Sequence, residues 1–134
     1  MNITSFDDLL RAARRQHEPQ QLLFVFAGAE RPAGASAEQR ARYEAGEGGE
    51  LAPLMCVDKA ADALASFDAL CVEAARAGPP WAIVFSAALS GRNGKPPTAA
   101  DIDAALQHMV EAIKAGRIDG LLPFNRAGEP VHLA

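Results

Sequence analysis

The stretch Ser90-Gly91-Arg92-Asn93-Gly94-Lys95 is the part of this sequence best furnished for chemistry. A phosphate-cradling P-loop would need a glycine five positions before Gly94 and a hydroxyl residue after the lysine. Leu89 and Pro96 stand there, so that motif is absent. What remains is a loop with two glycines and two cations, whose amides could form an anion-binding nest. The same composition also makes plain connecting turns. Cys56 precedes Val57-Asp58-Lys59, and a lysine or a helix N-terminus beside a thiol lowers its pKa. A free cysteine is equally a small core hydrophobe, and both Cys56 and Cys71 read as inert. They form no CxxC pair. His108 and Glu111 are close enough to be neighbours on a helix, yet two ligands without a third do not hold zinc. His17 falls where a helix C-terminus would interact with it, and no GxSxG marks Ser86 or Ser90 as a nucleophile. No metal and no cofactor are expected.

The elements that must position these residues alternate between helix-like and strand-like patterns. Ser5, with Asp8 three residues on, caps a first helix carrying Phe6, Leu9, Leu10 and Ala13 at helical spacing. Gln21 to Gly28 reads as a strand, and its unbroken Leu22–Phe26 run fits one covered on both faces. Ser36 and Gln39 open a second, charged helix that ends near Gly46, and Gly46 to Glu50 is a loop. Leu54 to Val57 is a strand that Pro53 confines to an edge or a late start. A long helix follows from Lys59 to Ala77, with Leu64, Phe67, Cys71 and Ala74 on its buried face and Asp58 as its N-cap. Trp81 to Ala87 is another apolar strand. Thr98 then caps a helix whose buried stripe is Ile102, Ala105, Leu106, Met109 and Ile113. The tail reads as a hairpin, Ile118–Phe124 and Pro130–Leu133, about an Asn125–Gly128 turn, and Pro123 places its first strand at an edge or bulge.

Apolar strands joined by helices predict a single α/β domain over 1–134, with a mixed, mostly parallel sheet flanked by helices and a C-terminal β-hairpin. In such sheets ligands bind beyond the carboxyl ends of the parallel strands. That rule gathers Glu30, Asp58, Lys59, Ser90, Arg92, Asn93 and Lys95 on one rim, the candidate ligand-binding site.

A chain of 134 residues, 49% hydrophobic and 22% charged, has the composition of a folded globular domain. Its formal net charge of -4 argues against a nucleic-acid partner, since that binding rests on clustered Lys and Arg. No apolar run approaches the ~20 residues of a spanning helix. The N-terminus lacks a basic start and an apolar signal core, and two cysteines make no disulfide framework, so a cytoplasmic protein without a membrane partner is expected.

Four segments look familiar together: Phe24–Glu30, Pro53–Lys59, Trp81–Phe85 and Met109–Ile118. They resemble a family of small proteobacterial proteins commonly labelled ribonucleotide reductase subunit alpha. Reductase catalysis needs a large barrel, an active-site cysteine, a redox pair and a terminal shuttle pair. Two cysteines and the single Tyr43 do not supply these, so the resemblance implies no catalytic residue. The residues themselves point to an accessory or protein-binding module without catalysis. The alternative is a small-molecule or anion-binding protein, an enzyme included, that uses the rim and the 89–97 loop.

Overall fold

The computed structural model describes residues 3–30 and 50–132. In chain order they form α1 (Phe6–Arg14), β1 (Gln20–Glu30), β2 (Glu50–Ala60), α2 (Phe67–Ala77), β3 (Ile83–Ser90), α3 (Ala99–Lys114) and β4 (Leu122–Phe124). The helix read from Ser36 to Gly46 and the glycine-rich loop after it lie outside the described residues, apart from Glu50, which opens β2.

The four strands form a single sheet in the order β2-β1-β3-β4, and every neighbouring pair is antiparallel. The mostly parallel sheet expected from the alternating pattern is therefore wrong. The helix α2 does carry the chain between two strands that point the same way, β2 and β3, but β1 lies between them. The crossover exists, and the slot it leaves is filled by an antiparallel strand. The continuous apolar run of β1 reflects a central position under helices on both faces, which parallel pairing is not needed to explain.

Strand alternation sorts that run into two cores. Leu22, Phe24 and Phe26 pack with Val84 and Phe124 beneath α1 and α2, through Phe6, Leu9, Leu10, Phe67, Leu70 and Ala74. Leu23, Val25 and Ala27 pack with Phe85 on the other face beneath α3, through Met109 and Ile113. Of the side chains expected in the core, Leu64, Phe67 and Met109 are buried, whereas Cys71, Ile102 and Leu106 are half-buried. Among the described residues no helix is long and apolar enough to cross a membrane.

Local chemistry explains most element boundaries. Ser5 accepts a hydrogen bond from the Asp8 amide at 3.2 Å, and Thr98 and Asp101 form a reciprocal capping box at the start of α3. The helix expected from Lys59 begins only at Phe67, where Ser66 accepts from the Ala69 amide at 3.1 Å. Residues up to Ala60 instead stay in β2, because the ladder with β1 continues to Gln21↔Ala60 and outweighs local helix preference. Asp58 is accordingly a strand residue, not an N-cap. Arg14 ties the turn after β2 to α1 by donating to the carbonyls of Ala61 and Leu64.

Pro53 and Pro123 both lie on edge strands, as a residue without an N–H requires. The register shifts beside Pro53, where Ala27 pairs with Pro53 and Phe26 with Met55, leaving Leu54 as the extra residue of a bulge. The C-terminal hairpin is much smaller than expected. Its first strand is Leu122–Phe124 alone, and the return is a single Phe124↔Pro130 bridge.

Two predictions arise from this packing. Ser86 is fully buried on β3, and its hydroxyl has no hydrogen-bond partner among the described residues. An unmatched buried hydroxyl costs on the order of 1–3 kcal/mol, so Ser86→Ala should raise stability by about 1 kcal/mol in chemical denaturation. A clear drop would show that the hydroxyl is satisfied. The second concerns Asp8, whose carboxylate accepts from the Thr4 hydroxyl at 2.6 Å and the Thr4 amide at 2.9 Å and also meets Arg11. The Thr4 bonds first, and Arg11 after them, hold its carboxyl at about 2 against the ordinary 3.8. A depressed folded-state value gives stability that is fully present above the unfolded value and is lost as pH falls through the folded one. The wild type should therefore lose some stability between about 3.8 and about 2, and Asp8→Asn should lack that component. Identical acid profiles for the two proteins would refute the assignment.

Candidate functional site

At the end of β3 the chain turns sharply against the segment that precedes β1. The Gly91 amide donates to the Pro19 carbonyl at 2.7 Å. A methyl group at Gly91 would overlap the Lys95 carbonyl oxygen and lie 3.1 Å from Pro96 Cα, so only glycine fits there. Arg92 and Lys95 then exchange two backbone hydrogen bonds of 2.9 Å each. Between them Asn93 and Gly94 have φ of 53° and 76°. This is a two-residue turn of the primed kind, for which Asn-Gly is the preferred sequence. A side chain outside the loop completes it: Glu18 Oε2 accepts from the Gly94 amide at 2.8 Å.

The pairing decides where the cations point. Residues directly opposite in an antiparallel bridge put their side chains on the same face, so Arg92 and Lys95 emerge together. They line a groove of about 500 Å³ whose other contributors include Leu89, Ser90, Thr98 and Asp101. The far wall is the first turn of the 16-residue α3, the positive end of its dipole. Asp101 is turned to its own helix, its carboxylate accepting from the Thr98 amide at 3.4 Å. Ser90 Oγ accepts from Gln20 Nε2 at 3.0 Å. Among the described residues neither Arg92 nor Lys95 is ion-paired.

The wider rim expected from sequence is not assembled. In an antiparallel sheet the carboxyl ends of alternate strands point in opposite directions. Glu30 pairs with Glu50 at one end of β1, while Ser90 pairs with Gln20 at the other. Asp58 and Lys59 do lie toward the Ser90 end, but their side chains take opposite faces. Lys59 meets Glu73 of α2 at 2.8 Å, and Asp58 accepts from Gln21 Nε2 at 2.7 Å. Of the seven candidate residues only Ser90, Arg92, Asn93 and Lys95 come together. Glu18 was missed, because no local pattern marks a residue that far away in sequence as the partner of the turn.

The remaining reactive groups are dispersed. Cys56 is exposed on β2 and Cys71 half-buried on α2, and burial pushes both thiols up. Cys71 borders a cleft of about 270 Å³ with Pro79, Pro80 and Trp81, where the Arg126 guanidinium lies 5.8 Å from the centre of the indole. Among the described residues no three His, Cys, Asp or Glu side chains are grouped to hold a metal. Compared with known proteins, the chain matches no family model, no curated protein and no solved structure.

Proposed function

We propose that this chain is an accessory binding module that takes up an acidic segment of a partner protein in the groove between the 90–95 turn and α3. The observation that carries this reading is the Arg92/Lys95 pair. Like charges placed directly opposite each other in a bridge destabilise it, and neither side chain recovers that cost through an ion pair among the described residues. A carboxylate seated between them would relieve the repulsion, with the positive end of α3 adding to the attraction. The groove combines Arg92, Lys95 and the Ser90 and Thr98 hydroxyls with the Asp101 carboxylate and apolar side chains such as Leu89, and these do not form a paired base and nucleophile, which favours binding over bond chemistry. A free small anion is the alternative occupant, and the same pair would hold it.

The test is titration with an oligo-glutamate peptide and, separately, with inorganic phosphate, read by calorimetry at low and moderate salt. The peptide is expected to bind with an affinity that falls as salt rises. Arg92→Ala combined with Lys95→Ala should abolish binding while changing stability by less than about 1 kcal/mol. Lys95→Glu should also abolish it and stabilise the turn by a few tenths of a kcal/mol, by turning a repulsive pair into an attractive one. A response to phosphate alone transfers the reading to a small-anion site. Undiminished peptide binding by the double variant overturns it.

A further inference from the structure

Asn93 is the one asparagine of the chain that precedes a glycine. Gly94 has no side chain to shield its nitrogen, and even a Cβ placed there would meet none of the described residues within 4 Å. The Asn93 amide is thus next to a backbone nitrogen that its own residue does not shield, on an exposed turn. Arg92 and Lys95 flank both groups, and positive charge favours the anionic nitrogen and the oxyanion through which such an attack passes. One feature works in the other direction. The Gly94 N–H donates to the Glu18 carboxylate at 2.8 Å, and a negative charge beside a nitrogen that must lose its proton opposes that loss.

We propose that Asn93 is a self-modification site at which the side-chain amide is lost, and that Glu18 restrains the reaction in the folded protein. The Gly94 nitrogen attacks Cγ of Asn93. The N–Cγ bond forms, the Cγ–Nδ2 bond breaks, and ammonia leaves carrying the former Gly94 proton. Water then opens the cyclic imide at either carbonyl, giving aspartate or isoaspartate. The net change consumes water and releases ammonia, with no oxidant or reductant. The product puts a negative charge on the turn that joins Arg92 to Lys95, and isoaspartate also adds a methylene to the backbone of that two-residue turn. If the groove holds an acidic segment, which rests on the reading above, the conversion switches it off.

The experiment compares wild type, Glu18→Gln and Glu18→Gln combined with Gly94→Ala during incubation in mildly alkaline buffer. The products are followed by peptide mass mapping and an isoaspartate assay. Glu18→Gln keeps an acceptor for the Gly94 amide but removes the charge. It should convert Asn93 severalfold faster than wild type, and the added Gly94→Ala should slow conversion again. Asn125, whose Oδ1 accepts from the Ala127 and Glu129 amides, should stay intact in all three. The same incubation in urea separates the contact from loss of folding, since wild type and Glu18→Gln should then convert equally. No conversion of Asn93 in Glu18→Gln, equal native rates, or a difference that survives in urea would each overturn the proposal. None of these readouts depends on groove binding. Peptide titration of Asn93→Asp tests the consequence separately: weakened binding upholds the switch, and unchanged binding removes the switch while leaving the modification site standing.

Discussion

Phe6→Ala should leave the protein largely unfolded or close to it. Phe6 is 1% exposed, and its ring centre lies 4.8 Å from Phe67, 5.4 Å from Phe124 and 5.6 Å from Phe24. It therefore joins α1, α2, β1 and β4 in one aromatic cluster. Truncating a buried phenylalanine costs on the order of 3–5 kcal/mol through lost transfer energy and the cavity left behind. Against a total of roughly 5–15 kcal/mol that is a severe loss. Phe67→Ala should lie at or below the lower end of this range, because Phe67 is 8% exposed and sits at the rim of the cluster. Urea denaturation of both variants checks the ranking. A Phe6→Ala midpoint equal to wild type would mean that α1 does not pack on the sheet as described.

Gly91→Ala is expected to cost about 3 kcal/mol, the upper part of the ordinary range for a point substitution. The added methyl collides with backbone, namely the Lys95 carbonyl and Pro96, and a backbone cannot rotate away as a side chain can. Relief requires opening the Arg92–Lys95 bridge or pulling Gly91 away from the Pro19 carbonyl. Opening the bridge separates the two cations, and pulling Gly91 away shifts the turn that carries them, so affinity for oligo-glutamate should fall together with stability. This distinguishes Gly91→Ala from the Arg92/Lys95 double variant, in which binding is lost and stability is nearly kept. A stable Gly91→Ala protein would show that the turn has another conformation available.

Local signals in the sequence were legible wherever their physics is local. The caps at Ser5 and Thr98, the central burial of Leu22–Phe26 and the edge placement of Pro53 and Pro123 all follow from single residues or short patterns. Strand direction did not, because an apolar strand under two layers of helix reads alike whether its neighbours run with it or against it. The wrong direction then spread Glu30, Asp58 and Lys59 onto a rim that antiparallel pairing disperses. Ser90, Arg92, Asn93 and Lys95 lie together because one short turn holds them regardless of the sheet around it. The contribution of Glu18 depends on the chain coming back beside Gly94, which is a property of the assembled fold.

The position of β1 also governs how the chain reaches its native state. This strand is made early, yet one of its two partners, β3, begins at Ile83 and aligns Gln20 with Ser90 across 70 positions. Pairings that distant slow folding, since chain entropy must be lost before the contact is rewarded. Until β3 arrives, Leu22-Leu23-Phe24-Val25-Phe26 is a segment of high β-propensity, without charge or proline, and with an unsatisfied side. Such a segment invites pairing with other chains. The strand at the centre of the finished sheet is thus also a point of exposure to aggregation during synthesis and refolding.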